Sequence, residues 1–551
     1  MFLHCVQGHV SGPGHTIWAP TQQALHYEEC GTVASLNWLD WLFISIYFYF
    51  LIAIGMQSVN RDSADDFAVA GRRISGGVVF ASLAASFIGG GAVMGTASST
   101  FSDGYVFLFA ICAFSVQTVL VGQFVAPRLR HYRGAHTVGD VMETHYGPAA
   151  RLLTGLLSVT VCAGILGAQV LAVGTVFHLL LGTTKLVGVL VGVGFVLLYA
   201  TFGGMWSVVK TNVAQFVIFS IFLPVILLFE VSHAGGPAAL MASVPESHTS
   251  LLGGWTPLAF VGVFASFLLG ETLVQPYAQR AFAAKNPLAS RNGFLLAGIF
   301  SVGFYFVTAS IGLVARVVYP DIEPDQALPT VVSELLPVGM SGLVLAALFA
   351  VIMSTADSYL NATAVSFAKD IYVSFLHRGA GERLLLVVQR LVTVVVGVAA
   401  AFFALSAPSI IDALLLAYNL WAPTVVAPLI LGVVWGFRSH IAGTAAIVAG
   451  GGAMAIWRWE LHEPFGITAL IVGVAVNIVV YALAYVLDPR AYRLHAQAEA
   501  EAEFARTASA NGAGVGLGSG PGRGPGPGPG SGSGSGLGSG PGLGSGPGPW
   551  R

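Results

Sequence analysis

The residues best placed to do chemistry lie in one apolar stretch, Leu345 to Tyr372, LAALFAVIMSTADSYLNATAVSFAKDIY. Ser354, Asp357, Ser358 and Asn361 recur at i, i+3, i+4 and i+7, so a helix sets them on one face, with Thr355 beside them. The stretch is long enough to cross a bilayer. An ionisable side chain inside such a span is costly and by default marks an ion or solute path. The chemistry implied is binding and passage, not bond making. The structural alternative is that these hydroxyls bond to backbone or to neighbouring helices. For a single Ser or Thr that alternative is the stronger; for the cluster with its carboxylate, function is.

A second set surrounds two interrupted hydrophobic runs. Phe80 to Gly95, FASLAASFIGGGAVMG, carries Gly89, Gly90 and Gly91 in succession near the bilayer midplane. Three consecutive glycines weaken a helix enough to allow unwound backbone. At that depth unwound backbone is tolerated where it is buried or lines a cavity, and its carbonyls can hold a cation. Phe264 to Arg280, FASFLLGETLVQPYAQR, is interrupted by Gly270 and Pro276 and carries Glu271, Gln275 and Tyr277. Glu271 is either a structural carboxylate or a solute contact, and Gln275 and Tyr277 are solute contacts or interhelical glue. No nucleophile–base pair or cofactor loop accompanies these residues, so an enzyme is disfavoured. No His or Cys pair has ligand spacing, which argues against a transition-metal site.

These residues must be positioned by membrane helices. The chain has 551 residues, 55% hydrophobic and only 9% charged, with a mean hydropathy of +0.78. Soluble domains are about 25% charged. Counting runs of about 20 apolar residues gives about thirteen spans, at 38–58, 76–98, 104–126, 152–180, 186–205, 212–231, 257–279, 292–316, 338–365, 384–405, 409–434, 440–459 and 466–487. The fold class is therefore an all-α polytopic membrane protein. The two interrupted runs are five spans apart and cross in opposite directions, as in an inverted five-plus-five repeat whose paired broken helices point to the binding site.

One set of alternate loops holds Arg61, Arg72, Arg73, Arg128, Arg130, Arg133, Lys210, Arg280, Lys285, Arg291, Lys369, Arg378, Arg383, Arg438, Arg490 and Arg493. The opposite loops hold only Lys185, Arg316 and Arg458. The positive-inside rule then places the N-terminus outside and the C-terminus in the cytoplasm of a plasma (inner) membrane. Residues 1–37 read as an extracellular arm, in which Cys5 and Cys30 can pair if the compartment is oxidising. The membrane domain spans 38–487, with core repeats about 76–231 and 257–434. Residues 488–551 read as a flexible Gly/Pro/Ser-rich tail. Lys and Arg are few and scattered, so nucleic acid is excluded as a partner. No obligate protein partner is evident.

Four stretches carry a resemblance to the sodium:solute symporter family: Ala70–Gly95, beginning AGRRISGG; Gly203–Gln215, GGMWSVVKTNVAQ; Gln275–Lys285, QPYAQRAFAAK; and Ile352–Tyr372, IMSTADSYLNATAVSFAKDIY. The resemblance covers about 38–487. It implies a leucine-transporter-type core, alternating access and Na+ as the coupling ion. By the same resemblance the carbonyls of Ala85, Ile88 and Val351 and the hydroxyls of Ser354 and Thr355 are the sodium ligands. Asp357 then falls to a supporting role or to a second ion site. Asn212 stands where relatives carry an aspartate on the sodium path. Phe87 stands where some relatives have a carboxylate and others a tryptophan, and Val274 replaces an aromatic. Phe87, Gly89, Gly90, Gly91, Glu271, Gln275 and Tyr277 are the expected solute contacts. The function implied is sodium-coupled symport of a small organic solute, an amine, an amino acid or similar. The alternative is a membrane sensor or ion-leak protein that keeps the fold without coupled transport, motivated by Asn212 and the missing aromatics.

Overall fold

Backbone groups in lipid find no water, so long apolar runs are satisfied only as helices or closed barrels. The computed structural model describes residues 36–56, 64–337, 339–407 and 409–491, and these take the helical solution. The N-terminal arm with Cys5 and Cys30, and the Gly/Pro/Ser-rich segment, lie outside the described residues.

The chain enters with α1 (Trp38–Met56) and the short α2 (Ala64–Val69). A bent pair follows, α3 (Gly76–Phe87) and α4 (Gly91–Asp103), with 65° between its halves. Next come α5 (Tyr105–Phe124), α6 (Val138–Leu181) and α7 (Lys185–His233), which turns at Gly204. A second interrupted unit, α8 (Pro257–Leu269) and α9 (Gln275–Ala283), leads into α10 (Pro287–Val318). Helix α11 (Met340–Ser366) continues through a wider π turn to Leu376. Helices α12 (Glu382–Ser406), α13 (Ile410–Trp421, extended to Trp435), α14 (His440–Ala455) and α15 (Ala469–Leu487) complete the bundle. Among the described residues ten helices are long and apolar enough to cross a membrane, the bent pair makes an eleventh, and Lys185–Leu198 and Pro257–Leu269 are shorter apolar helices.

Helix α11 is the axis. It is 94% buried over its most apolar window, against 22% for α15, whose side chains face outward. It packs against α6, α7, α1 and α12, and more lightly against α3 and α9. The span that carries the polar cluster is thus the one most enclosed by protein among the long apolar spans described, as the cost of polar groups in hydrocarbon requires.

Two ties fix the elements around this axis. At the basic-loop face the start of α3 and the end of α9 pair backbone to backbone: Ile74 N donates to Ala283 O at 3.1 Å and Lys285 N to Ile74 O at 2.8 Å. The parallel bridge Ile74–Ala284 is the sole β pairing among the described residues. Thr137 and Asp140 form a reciprocal cap on α6. There Thr137 Oγ1 donates to the buried Asp370 at 2.6 Å, and Arg151 bonds Asp370, Asp140 and Glu143 at 3.2, 2.6 and 2.6 Å. That network holds the start of α6 to the end of α11.

Both interruptions have local causes. The chain leaves α3 at Ile88 (ψ 84°). A Cβ at Gly89 would stand 2.6 Å from both Gln169 Oε1 and Thr355 Oγ1, and one at Gly90 would stand 2.5 Å from the Ala172 Cβ. Glycine is required there by close approach. In the second unit the break rests on neither residue that the sequence points to. Gly270 is right-handed helical and Pro276 sits in the first turn of α9, where its missing N–H does no harm. Leu273 instead takes the left-handed region, φ +54°, a strained position for a bulky residue.

Candidate functional site

Helix α3 stops at Phe87, so its last carbonyls lack the amide partners a continuing helix would supply. Helix α11 brings hydroxyls to them. Ser354 Oγ donates to Ala85 O at 2.7 Å and to Val351 O at 2.8 Å, and Thr355 Oγ1 lies 3.3 and 3.5 Å from the same two carbonyls. Ala85, Val351, Ser354 and Thr355 are all buried. Ile88 is the residue at which the backbone turns out of the helix. The result is a compact group of neutral oxygens from two helices, the donor set a hard monovalent cation takes. A third helix joins it, because Gln169 of α6 accepts from Gly90 N at 2.6 Å. Gln169 was not legible as a site residue; its one signal was a lone amide in a long apolar run.

One turn further along α3 and α11, towards the basic-loop face, lies a second polar layer. Ser86 Oγ and Ser358 Oγ are 3.1 Å apart, and Ser358 Oγ donates to Ser354 O at 2.7 Å. Asp357 accepts from Thr211 at 3.2 Å and lies 3.2 Å from Ser358 Oγ. Asn212 is fully buried here. Its amide takes the orientation in which Oδ1 accepts from Ser86, Ser358 and Arg280 at 3.1, 3.0 and 2.9 Å while Nδ2 donates to Val208 O at 3.1 Å. The reverse orientation would set N–H donors against the guanidinium. Arg280, counted from sequence among the loop cations, is only 1% exposed. It lies on α9, whose packing against α3 and α11 turns it inward.

A third group lines the other break. Glu271 accepts a hydrogen bond from Tyr277, and one from Tyr418 at 2.8 Å, while Tyr359 donates to Tyr277 at 3.0 Å. Each carboxyl oxygen therefore has a phenol partner. Trp421 Nε1 donates to Thr272 O at 2.8 Å and Gln117 Nε2 to Thr272 Oγ1 at 2.8 Å. Phe87 stands 5.1 Å from Phe114 and 6.3 Å from Tyr277, centroid to centroid. Leu83, Phe87, Gln117, Leu273 and Tyr277 help line a cavity of about 10 Å³, room for about one water.

Sequence-predicted residues fall unevenly across these groups. Phe87 and Tyr277 share the aromatic cavity, with Glu271 bonded to Tyr277. Gly89 faces Gln169 and Thr355, and Gly90 faces Ala172 and Gln169. Gly91 lies under Leu414 of α13, whose Cδ1 is 2.1 Å from where a Cβ would be. Gln275 has both amide ends engaged by backbone: Oε1 accepts from Val138 N and Nε2 donates to His136 O, each at 2.9 Å. It fastens α9 to α6. At the face opposite the basic loops opens a cavity of about 460 Å³ lined by residues including Ser98, Lys185, Glu323 and Asp325.

The sodium:solute symporter family model matches residues 67–447. The sodium/glucose cotransporter of Vibrio parahaemolyticus is 25% identical over 460 residues, covering 75% of this chain and 84% of that one. A sodium/proline symporter of Staphylococcus aureus is 25% identical over 481 residues, covering 81% and 92%. A Na+-coupled sialic acid symporter, solved substrate-bound and outward-open, superposes with a TM-score of 0.72 at 17% identity over 82% of this chain and 98% of that one. That likeness shows a shared leucine-transporter-type fold. Matched over most of its membrane helices, the chain belongs to the sodium:solute symporter family, whose members are transporters and not enzymes.

Proposed function

We propose that this protein couples sodium entry to uptake of a small organic amine or zwitterion. The sodium ion is held by the carbonyls of Ala85, Ile88 and Val351 and the hydroxyls of Ser354 and Thr355. The observation that carries the reading is the meeting of Ser354 and Thr355 with the Ala85 and Val351 carbonyls at the break of α3. Each hydroxyl donates to a carbonyl, and a small rotation turns its lone pairs to a cation. The ion links α3 to α11, so binding favours the arrangement in which the two are together.

The solute's cation is taken by Glu271. Its carboxylate is buried with phenols as neighbours, and burying such a charge is tolerable only with a partner. Phe87, Phe114, Tyr277, Tyr359 and Tyr418 supply aromatic faces beside it, suited to a cationic amine. Several of these come from helices other than the two broken ones. They favour a working solute site over the sensor or leak alternative.

Alternating access then has a physical form. The basic-loop face is cytoplasmic, the N-terminus outside, and the membrane the plasma (inner) membrane. The cavity at the opposite face is an outer vestibule, and Leu414 and Ile411 pack on the glycine backbone of α4. On the inner side α3 and α9, tied through Ile74, close against α7 and α11. The experiment is a thermal-shift screen of amines, amino acids, sugars and carboxylates with and without sodium. The reading expects stabilisation by amines that depends on sodium. Sodium-independent stabilisation by sugars or carboxylates alone would reject it.

A further inference from the structure

Helix α15 faces outward over most of its length, yet Asn477 on it is fully buried. Its Nδ2 donates to Pro423 O at 2.8 Å, to Thr424 O at 2.9 Å and, on α14, to Ala446 O at 2.9 Å. The reverse amide orientation would set an oxygen against three carbonyls. Pro423 and Thr424 belong to a π turn, Ala422–Val426, in the middle of α13. Pro428 lacks the N–H that would serve Thr424 O four residues back or Pro423 O five residues back. Asn477 therefore supplies from a neighbouring helix the donor that proline withholds within α13. Two glycines let the α14–α15 hairpin come so close. A Cβ at Gly450 of α14 would collide with Pro423 O, and one at Gly473 of α15 would stand 2.6 Å from the Pro423 Cβ.

The residues just before this turn reach the solute site. Trp421 Nε1 donates to Thr272 O and Tyr418 Oη to Glu271, each at 2.8 Å, so both side chains meet the break between α8 and α9. We infer that Asn477 is a positioning residue for that site: it fixes the π turn from α15 and, through the turn, sets Tyr418 and Trp421 on the Glu271 break. Helix α15 reaches the other wall too. A Cβ at Gly262 of α8 would stand 2.7 Å from Cγ2 of Thr468, the residue that caps the start of α15. The last helix thus braces α8 and α13, the two elements between which the break lies. A buried amide that only glues helices bonds whatever carbonyl is near; these two are the ones that Pro428 leaves free. Without the Asn477 donors they would be buried unpaired, a cost that a single lost bond does not carry, and the turn would relax. Tyr418 and Trp421 would then rotate away from their partners. The consequence for solute binding rests on the solute reading proposed above.

The test labels the full chain in lipid nanodiscs with fluorotryptophan and follows the fluorine resonance of Trp421, identified by its loss in Trp421→Phe. Asn477→Leu, and the milder Asn477→Ser if the first does not fold, are expected to shift or split that resonance. Tyr481→Phe, which removes from the same helix a hydroxyl 3.1 Å from that of Tyr146, is expected to leave it in place. A second arm titrates tetramethylammonium, a plain cation for Glu271 and its phenols, against thermal stability in saturating sodium. Its midpoint is expected to rise about 10-fold or more in the Asn477 variants, with the sodium midpoint unchanged. A Trp421 resonance unmoved in a folded Asn477 variant, an unmoved tetramethylammonium midpoint, an equal change in Tyr481→Phe, or loss of folding in both Asn477 variants would overturn the role of Asn477. A wild type that tetramethylammonium does not stabilise would instead fail the solute reading, and the resonance would still decide whether Asn477 sets Trp421.

Discussion

Ser354 Oγ stands 2.7 Å from the carbonyl oxygen of Ala85, 269 residues earlier in the chain. That contact joins the most buried of the long apolar spans among the described residues to the point where α3 ends, and the proposed coupling depends on it. An ion there senses both elements at once.

Gly89 should tolerate no side chain. A Cβ would stand 2.6 Å from both Gln169 Oε1 and Thr355 Oγ1, and overpacking of this kind costs about 1–3 kcal/mol. Gly89→Ala is expected to weaken sodium binding by about 10-fold or more, read as a shift in the sodium concentration that half-stabilises the protein against heat. An unshifted midpoint would show that the backbone here yields freely.

Much of this arrangement was legible in the sequence. Polar residues at helical spacing in an apolar run identify α11, and three consecutive glycines identify the first break. Their physical costs are local, so sequence shows them. Gln169, Tyr418 and Trp421 escaped because their roles come from partners on other helices; Tyr418 meets Glu271 across 147 positions. Tyr359 lies within the α11 stretch but reads as ordinary packing until Tyr277 is placed beside it. Arg280 misled, since an arginine at the end of a span reads as a loop cation until packing turns it inward. Pro276 misled in the opposite sense, because it starts α9 and leaves the break to Leu273.

Glu271 should decide the solute class. Removing one partner of a buried charge pair costs about 2–5 kcal/mol. Glu271→Gln is therefore expected to weaken binding of the stabilising amine by about 30-fold or more, with sodium binding retained. Isothermal titration of both ligands checks this. An unchanged amine affinity would assign Glu271 a structural role.

Asp370 should matter for stability and not for selectivity. It is buried, accepts from Thr137 and pairs with Arg151. Breaking a buried pair costs about 3–5 kcal/mol, so Asp370→Ala is expected to lower the melting temperature markedly. The ranking of ligands that stabilise the protein should stay the same. A changed ranking would place the network in the transport path.

His136, outside the spans, should make the basic-loop face acid-sensitive. Burial, with Lys369 nearby, holds its imidazolium below the ordinary value of 6.5 against the opposing pull of Asp65 and Asp140. The folded chain thus binds fewer protons here than the unfolded one. The stability from this contact is complete above pH 6.5 and is lost as pH falls below it. Melting curves of wild type and His136→Gln should diverge least in acid and most above neutrality. A constant difference across that range would contradict the assignment.

The central claim is that Ser354 and Thr355 tie solute movement to sodium. Its most direct test is uptake into proteoliposomes of the amine that stabilises the protein most, under an imposed inward sodium gradient. The account predicts accumulation above equilibrium in the wild type, and none in the equally expressed Ser354→Ala, Thr355→Ala double variant or without sodium. Accumulation that persists in both of those conditions would contradict it.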